Sequence, residues 1–390
     1  MRFLVLGAGM MGRALAYDLI HSPGVEAVTL ADADPSALKA VAAWLDSDRL
    51  QTVTLDCNDL PAVTALMRQQ TCAIGAVSYQ INEELTRAAI DAGTHFCDLG
   101  GNDEVVRRQM THDAEARARG VTIVPNCGLA PGLVNILAVR GAERFSRIDA
   151  IRMRVGGLPL HPQPPYNYQL VFSADGLLNE YTGLSAVLRN GKLARVEALT
   201  EVEELDLPPP FGRMEAFHTT GGASFLPAYF EGKVDHLDYK TIRYPGHCEK
   251  MRALLDAGLA DAAPVRVGDR LMTVREQFIQ LLRRRIPSSG TDVVLMRVTI
   301  DGEVGGERRT LQFELIDYRD EKHDISAMMR GTSFPTSVIA QQIASGEVRE
   351  RGVLPPEHCI RLEPLLAELE RRGVIVAEEW MDAAEKGAGL

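Results

Sequence analysis

Three glycines near the start of the chain have the spacing of a dinucleotide-binding turn. Gly7, Gly9 and Gly12 form G-x-G-x-x-G, with Met10 and Met11 between the last two. A short apolar run precedes them and a helical pattern follows, which is the context that this motif requires. The first glycine permits a tight turn, the second lets the backbone approach a pyrophosphate, and the third allows the helix to pack closely on the strand. The segment therefore predicts phosphate binding at a helix N-terminus, and the alternative is a glycine turn without a ligand.

An acidic residue follows at the distance expected for ribose recognition. Asp32 stands twenty residues after Gly12, at the end of the second apolar run. A carboxylate at this point hydrogen-bonds the adenosine ribose and repels a 2′-phosphate, so the cofactor expected is NAD rather than NADP. Asp34 is the competing residue, but its place before Pro35 is typical of a turn.

The ends of other apolar runs add further cofactor positions, because ligands bind at the carboxyl ends of strands in such sheets. Asp56 and Asn58 follow the third run, where they either contact the adenine or start a helix. We also assign cofactor contacts to Val77, Ser78 and Asn126, which stand at or after the ends of later runs.

These positions require an alternating arrangement of strands and helices. Six apolar runs predict buried parallel strands, at Phe3–Leu6, Ala27–Ala31, Thr52–Leu55, Ala73–Val77, His95–Cys97 and Val121–Val124. Helical patterns lie between them, near Met10–His21, Pro35–Leu45, Leu60–Arg68, Glu83–Ala92 and Glu104–Arg119. The fold class predicted is α/β, with an N-terminal Rossmann unit built on a doubly wound parallel sheet.

After Pro125 the pattern becomes that of an α+β domain with a mixed or antiparallel sheet. A helix is predicted from Pro131 to about Glu143, a loop over the proline-rich Leu158–Tyr166, and a hairpin turn at Asn190-Gly191. Strands are predicted at Ile148–Val155, Ala186–Arg189, Leu193–Glu197, Glu215–Thr219, Leu237–Tyr244, Val293–Ile300 and Thr310–Asp317, the last two as an antiparallel pair. From Ile325 the pattern is helical again, and we expect this tail to pack on the Rossmann unit.

Six segments resemble the saccharopine dehydrogenase-like family, and within it the L-lysine 6-dehydrogenase branch. They are Tyr79–Glu83, Cys97–Asn102, Pro125–Gly132, Phe172–Leu178, Phe217–Gly222 and Lys240–His247. The resemblance implies a Rossmann domain at 1–130 that is completed by C-terminal helices at 326–390. It also implies an inserted domain at 131–325, which binds the substrate and forms a homodimer or higher homo-oligomer. The reaction implied is NAD-linked oxidation of a carbon that bears an amine, the ε-carbon of L-lysine in this branch. The family's G-L-x-P-G segment often follows an acidic residue, but here the preceding polar residue is Asn126, which weakens any role that requires charge there.

Amine oxidation needs a neutral amine and therefore a proton acceptor, because a free alkylammonium has a pKa near 10.4. Three residues are candidates for this catalytic role. Asp98 follows the fifth strand, and its alternative role is a cap for the turn at Gly100-Gly101. His218 is a base with a pKa near neutrality, or else a core histidine. Lys240 is a base of lowered pKa, or else a solvated residue.

Substrate contacts are expected from residues around the same segments. Arg243 is the expected carboxylate clamp, because its planar fork matches a carboxylate, and it is three residues from Lys240 and thus on the opposite side of a strand. The other candidates are Tyr79, Gly101, Tyr166, Thr219, Gly222 and His247. Gly222 either allows close approach of the substrate or makes a turn, and Tyr166 is expected to be part of a lid. Asp175 and Glu180 are interpreted as capping or interface residues.

Composition excludes several classes of protein. The 390 residues carry a net charge of −11 and no Lys/Arg run of more than three residues, which argues against nucleic acid and an anionic membrane surface as partners. The six cysteines have no C-x-x-C or zinc-ligand spacing, so we expect buried thiols, no metal and a reducing compartment. Without a signal peptide or an apolar run of membrane length, the expected location is the cytoplasm.

Three functions are compatible with these observations. The first is an NAD-dependent amino-acid dehydrogenase acting on lysine, which yields an aldehyde that cyclises to piperideine-6-carboxylate. The second is a reductase of the saccharopine or carboxynorspermidine type, which forms a secondary amine, and Asp32 argues against its usual NADPH. The third is a non-catalytic NAD-binding regulator.

Overall fold

The computed structural model describes residues 1–382, in which two compact units are found. The first unit contains residues 1–140 and 329–375, and the second contains 141–328 and continues from Val376. The expected boundaries at 130 and 326 are therefore shifted by ten and three residues. The end of the tail also differs from the expectation, because it joins the second unit.

The N-terminal part alternates strands with helices. Its elements are β1 (Arg2–Leu6), α1 (Met10–His21), β2 (Ala27–Asp32), α2 (Pro35–Leu45), β3 (Leu50–Thr54), α3 (Leu60–Met67), β4 (Cys72–Gly75), α4 (Asn82–Ala92), β5 (His95–Asp98), α5 (Asp103–Met110), α6 (Asp113–Arg119), β6 (Thr122–Val124) and α7 (Leu133–Ala142). A short 3-10 turn at Tyr79–Ile81 precedes α4.

The central part consists mainly of strands. Its elements are β7 (Arg147–Pro159), α8 (Ala174–Glu180), β8 (Leu184–Arg189), β9 (Lys192–Glu197), β10 (Glu203–Leu207), β11 (Gly212–His218), α9 (Leu226–Phe230), β12 (Val234–Arg243), α10 (His247–Asp256), β13 (Pro264–Val267), β14 (Arg270–Thr273), α11 (Val274–Arg285), β15 (Asp292–Val304) and β16 (Glu307–Tyr318). The C-terminal part follows with α12 (Ala327–Ala344), β17 (Gly352–Val353), α13 (Pro356–Cys359), α14 (Leu362–Arg371) and β18 (Ala377–Asp382).

The sheet of the first unit has the order β17-β6-β5-β4-β1-β2-β3, and all its pairs are parallel. The order reverses between β1 and β4, which is the point where doubly wound sheets bind ligands. Strands β1 and β4 are almost wholly buried, as expected for parallel strands covered on both faces. The predicted Rossmann fold is confirmed.

Two details of this unit differ from the prediction. The single helix expected over Glu104–Arg119 is two helices, α5 and α6, which are separated at Thr111 and His112. No glycine or proline marks this break in the sequence. Strand β17 was not predicted, because two residues are too few to show a period; it pairs with Thr122 and Ile123 of β6.

The second unit is built on a mixed sheet with the path β10-β11-β12-β7-β15-β16-β18. Strands β12 and β7 are parallel, whereas β15 is antiparallel to both β7 and β16. The predicted hairpin is confirmed, with β8 and β9 joined through Asn190 and Gly191, which have φ angles of 51° and 75°. The expected loop over Leu158–Tyr166 begins later, because β7 extends to Pro159 and pairs with Asp292.

The chain ends, within the described residues, in the second sheet. Strand β18 pairs with β16 through Ala377 to Asp382, which explains why the tail leaves the first unit. All six cysteines are free and buried, as expected. Among residues 1–382, none of the helices has the length and apolar character needed to cross a membrane.

Candidate functional site

The turn between β1 and α1 is tightly packed at two of its glycines and open at the third. A Cβ on Gly7, whose φ is +103°, would lie 2.5 Å from the carbonyl oxygen of Ala76. A Cβ on Gly12 would lie 1.8 Å from the carbonyl oxygen of Gly7. A Cβ on Gly9 would meet no atom within 4 Å. Packing therefore requires Gly7 and Gly12, whereas Gly9 borders a space that a ligand can enter.

Helix α1 begins at this space without a side-chain cap. Gly9 is its N-cap residue, and its first turn contains no acidic side chain. Met10 is 39% exposed and Met11 is half-buried, so their backbone N–H groups lie at the open end of the helix. Such N–H groups, together with the helix dipole, favour an anion. A pyrophosphate therefore fits this cradle.

The carboxylate of Asp32 is held next to the glycine turn. Its Oδ2 accepts a hydrogen bond from the Ala8 N–H at 2.6 Å, and its Oδ1 accepts one from the Asp34 N–H at 2.8 Å. Asp34 itself caps α2, where it accepts from the Ser36 N–H at 2.8 Å, as its turn position suggested. The half-buried Asp32 carboxylate has lone pairs left for ribose hydroxyls, because a carboxylate provides about four.

The remaining cofactor candidates differ in their surroundings. Asp56 is exposed and accepts from the Asn58 N–H and side-chain amide at 2.9 and 2.8 Å, which lowers the pKa of its carboxyl. Asp59, rather than Asp56 or Asn58, caps α3. Ser78 is exposed and starts the 3-10 turn, and Val77 lies beside Gly7. Their roles in cofactor binding stay predictions.

Asn126 occupies an unusual position for a non-glycine residue. Its φ is 61°, in the left-handed region that asparagine tolerates, and it is 5% exposed. Its Oδ1 lies 2.0 Å from the position that a Cβ on Gly100 would take. The Asn126 side chain therefore packs against Gly100, and the end of β6 lies against the glycine turn that follows β5.

Asp98 is fully buried at the end of β5. Its Oδ1 accepts from the Gly100 N–H at 2.7 Å, and its Oδ2 accepts from the Gln109 side-chain amide at 2.7 Å. Burial raises the pKa of this carboxyl to about 6, although the hydrogen bond from Gln109 opposes the shift. These contacts favour its alternative role as a cap of the Gly100-Gly101 turn.

Gly101 and Tyr79 lie against each other. A Cβ on Gly101, whose φ is +125°, would come within 3.0 Å of the Tyr79 ring. The glycine therefore allows the ring to pack on the turn. Both substrate-binding roles stay predictions.

Two of the candidate catalytic residues, His218 and Lys240, belong to a buried ion network of the second unit. His218 and Lys240 stand opposite each other in the register of β11 and β12. Lys240 and Arg154 stand opposite each other in the register of β12 and β7. Lys240 is 5% exposed, and its Nζ donates to Glu203 Oε2 at 2.8 Å. Burial alone would raise the pKa of Glu203, but Arg154 and Lys240 hold it below its usual value.

The remaining contacts of the network also point to a structural role. Arg154 donates to both oxygens of Glu203 and, at 2.8 Å, to Asp238. His218 is fully buried between the Tyr239 carbonyl and the Glu201 carboxylate, each 3.2 Å away. Burial lowers the pKa of this imidazole. The alternative of a core histidine is therefore favoured, and Lys240 is an ion-paired buried residue rather than a solvated one.

Arg243 lies on the opposite face of β12, as its spacing from Lys240 predicts. It is 2% exposed, and its Nε donates to the Tyr181 hydroxyl at 2.8 Å. That hydroxyl lies 3.0 Å from His247 Nε2, and His247 Nδ1 lies 2.9 Å from the Tyr166 carbonyl oxygen. A carbonyl can only accept, so Nδ1 carries the proton and Tyr181 donates to Nε2.

This chain of hydrogen bonds gives Arg243 neutral partners rather than an ion pair. Burial lowers the pKa of His247 to about 3, and the nearby Arg243 acts in the same direction, so the imidazole is neutral. Glu215 stands opposite Arg243 in the register of β11 and β12. Its carboxylate, however, accepts hydrogen bonds from the Gly246 and Cys248 N–H groups at 2.8 and 2.6 Å. Among the residues that the structure describes, Arg243 has no carboxylate within ion-pair distance.

Three other substrate candidates lie near this face. Thr219 is buried, and its hydroxyl is 2.7 Å from that of Thr241. A Cβ on Gly222 would lie 2.3 Å from Tyr239 Cζ, so this glycine is explained by packing against the ring rather than by substrate approach. Tyr166 is half-buried and is tied to His247 through its carbonyl oxygen.

The sequence interpretation missed the residues that surround Arg243. Tyr181 was not singled out, although it lies one residue after the end of α8, and neither was Tyr168, which lies between β7 and α8. Glu180 was interpreted as a capping or interface residue. Their only signal in the sequence is their place in or next to the F-S-A-D-G-L-L segment, which does not indicate a contact with Arg243.

The fold and the glycine turn define a dinucleotide-binding oxidoreductase with a separate α+β unit. Residues 3–124 match the family model "Saccharopine dehydrogenase NADP binding domain", and residues 128–374 match "Saccharopine dehydrogenase C-terminal domain". The chain therefore belongs to the saccharopine dehydrogenase family, as its sequence segments suggested. The predicted enzyme class, an amino-acid dehydrogenase that uses a nicotinamide dinucleotide, is confirmed.

Individual relatives agree with this assignment. The chain is 21% identical to saccharopine dehydrogenase [NADP(+), L-glutamate-forming] of Pyricularia oryzae, over 96% of this chain and 98% of that protein. It is 19% identical to the mitochondrial alpha-aminoadipic semialdehyde synthase of Rattus norvegicus, over 96% of this chain but 47% of that protein. The structure of saccharopine dehydrogenase (L-Glu forming) from Saccharomyces cerevisiae superposes with a TM-score of 0.80 at 18% identity, covering 97% of this chain and 99% of that chain. At that identity the superposition shows the shared fold.

Proposed function

We propose that the chain catalyses the NAD-dependent oxidative deamination of L-lysine at its ε-amine. The amine carbon loses two electrons and a proton to NAD⁺, which supplies the redox chemistry when bound. Water then replaces the amine, ammonia leaves, and the aldehyde cyclises to piperideine-6-carboxylate.

The buried guanidinium of Arg243 is the observation that carries the proposal. Of the three buried cationic side chains among the described residues of the second unit, Arg154 and Lys240 are paired with carboxylates, whereas Arg243 is not. An unpaired buried charge is costly, so this site calls for an anionic ligand. One free guanidinium suits the single carboxylate of lysine better than the three carboxylates of saccharopine.

The residues around the glycine turn support NAD as the cofactor. The space at Gly9 and the uncapped start of α1 suit the pyrophosphate, and the Asp32 carboxylate suits a ribose with a free 2′-hydroxyl. The role of this chain's residues there is to bind and orient the dinucleotide. Asp98 and His218 are fully buried and Lys240 is ion-paired, so none of the three has the access that a proton acceptor needs, and the proposal assigns that role to none of them.

A second candidate is the formation of a secondary amine by reduction. Two relatives favour it, because they are named as saccharopine dehydrogenases that form L-glutamate with NADP(+). In that case an amino acid, an aldehyde and a reduced cofactor would be consumed together, and a second carboxylate site would be needed besides Arg243.

One assay separates these functions. The purified chain is incubated with NAD or NADP and with lysine, ornithine, cadaverine or saccharopine, and formation of the reduced cofactor is followed by its absorbance. Reduction of NAD with lysine alone, and trapping of the cyclic product, would support the proposal. Activity with saccharopine and not with lysine would replace it with the second candidate. Cofactor binding without turnover of any amine would favour a regulator.

A homodimer is part of the same proposal, because the family resemblance implies that the inserted domain forms one. Light scattering of the purified chain, whose mass is 42.7 kDa, would give the number of copies directly. A monomer at enzyme assay concentrations that is fully active would contradict it.

A further inference from the structure

Arg243, Tyr168 and Glu180 each carry a polar group for which no hydrogen-bond partner is found within residues 1–382. Arg243 donates through Nε to Tyr181 and through Nη1 to the Ile242 carbonyl at 2.8 Å. A guanidinium has five N–H groups, and within residues 1–382 no acceptor is found for those on Nη2. The guanidinium is held in place and still has donors to offer.

The hydroxyl of Tyr168 is the second unused group. Tyr168 is 2% exposed, and the guanidinium carbon of Arg243 lies 4.7 Å from the centre of its ring. No described residue meets this hydroxyl in hydrogen-bonding geometry, although the Arg243 guanidinium lies near enough to act on it. A buried hydroxyl without a partner is unfavourable, so a ligand that offers it a hydrogen bond would be favoured at this point.

The carboxyl of Glu180 is the third polar group without a hydrogen-bond partner among the described residues. It ends α8, is half-buried and directly precedes Tyr181. Its backbone is fixed, because its carbonyl oxygen accepts from the Thr220 N–H at 2.9 Å. In the described part of the chain its carboxylate has no hydrogen bond or ion pair, although the charge of Arg243 acts on it. Burial raises the pKa of this carboxyl to about 7, and Arg243 opposes the shift.

We propose that Arg243, Tyr168 and Glu180 form a binding site for the α-amino acid end group of the substrate. The carboxylate is bound by the Nη2 of Arg243 and the Tyr168 hydroxyl, and the α-ammonium is bound by the Glu180 carboxylate. The two charges of an α-amino acid are separated by one carbon, so the groups that bind them must be close together. Arg243 donates to Tyr181, the residue directly after Glu180, and its charge acts on the Glu180 carboxyl. The inference rests on the proposed function in that an amino acid is the substrate, and it adds which residues recognise which end.

The site assigns Glu180 to the α-amine rather than to the amine that reacts. In lysine the ε-amine is separated from the carboxylate by five carbons, about 7 Å in an extended chain. A carboxyl close to Arg243 therefore cannot reach it while Arg243 holds the carboxylate. Glu180 is thus a binding residue, and its loss should weaken recognition without removing the chemistry.

The test uses ligands that cannot be oxidised at an ε-amine. L-Norleucine has both charges of the end group, hexanoate lacks the amine, and 1-pentylamine lacks the carboxylate. Their binding to the full chain, in the presence of NAD, is measured by titration calorimetry. We expect norleucine to bind about 10- to 100-fold more tightly than either fragment, because each charge-assisted hydrogen bond contributes that order of affinity.

Two variants then separate the two ends. Glu180→Gln should weaken norleucine about 10-fold or more and leave hexanoate unchanged, whereas Tyr168→Phe should weaken both ligands by about 10-fold. Glu197→Gln and Tyr229→Phe are matched controls at exposed residues of the same unit and should bind as the wild type does.

The outcomes distinguish this site from the proposed reaction. If norleucine binds as expected but lysine is not oxidised, the reaction is wrong and the site stands. If lysine is oxidised but norleucine binds no better than hexanoate, the site is overturned, and this comparison does not depend on whether any variant folds. Unchanged norleucine binding by folded Glu180→Gln and Tyr168→Phe variants would also overturn it.

Discussion

A methyl group at Gly9 should block the cofactor without harming the fold. Gly9 has a φ of −70°, which any residue adopts, and a Cβ there meets no atom within 4 Å. Replacing glycine by alanine stabilises by about 0.4–1 kcal/mol through the unfolded chain, whereas losing glycine at an N-cap costs roughly 0.5–1 kcal/mol. The two effects offset, so Gly9→Ala should unfold within a few degrees of the wild type.

Cofactor binding should respond differently. A phosphate oxygen must come to about 2.9 Å from the backbone N–H groups of the turn, and the added methyl occupies that approach. Loss of one charge-assisted hydrogen bond costs about 1.5–3 kcal/mol, which corresponds to roughly 10- to 150-fold in Kd. Titration calorimetry with NAD measures this change directly. Thermal unfolding with NAD provides a check, because a ligand at 100 times its Kd stabilises by about 2.7 kcal/mol.

Gly12→Ala is the matched comparison. Its Cβ would lie 1.8 Å from the Gly7 oxygen, so the turn must move and the protein should lose stability even without NAD. If Gly9→Ala binds NAD as tightly as the wild type does, the pyrophosphate is not bound at this turn. If instead Gly9→Ala unfolds as readily as Gly12→Ala, the space beside Gly9 does not exist in solution.

Three further predictions concern charged side chains. Asp32→Asn keeps an acceptor for the Ala8 N–H but removes the negative charge, so the ratio of the Kd values for NADP and NAD should fall about 10-fold, and an unchanged ratio would exclude Asp32 from cofactor discrimination. Lys240→Met should lower the free energy of unfolding by only about 1–3 kcal/mol, because Glu203 keeps its ion pair with Arg154. The same variant should leave kcat nearly unchanged, and a loss of about 100-fold or more in kcat would show that Lys240 is catalytic. Asp98 has a pKa of about 6 in the folded chain against an ordinary value of 3.8, so its ionisation should cost roughly 3 kcal/mol of stability as pH rises from about 4 to 6. Asp98→Asn should lack that pH dependence in chemical denaturation, and an identical profile would contradict the raised pKa.

The spacing of residues along the sequence was sufficient to predict most elements of the first unit. The glycine turn, the acid at position 32 and the alternation of apolar runs all concern neighbours in sequence, and the resulting sheet has the expected parallel order. The break between α5 and α6 and the two-residue β17 were missed, because neither contains a residue pattern that marks it. The Asn-Gly hairpin was found for the same reason as the glycine turn, since both depend on residues that tolerate positive φ.

The functional interpretation of the second unit depended on contacts that no spacing shows. His218, Lys240 and Arg243 were all candidates in the sequence, since each is a polar residue in an apolar strand pattern. Their partners come from distant positions: Glu203 for Lys240, Glu201 for His218, and Tyr181 for Arg243. By itself the sequence determined that a dinucleotide turn opens the chain and that chemically capable side chains follow. Only the tertiary structure decided which buried charges form ion pairs and which, among the described residues, does not, because ion pairing is fixed by distances of a few ångströms between strands far apart in the chain.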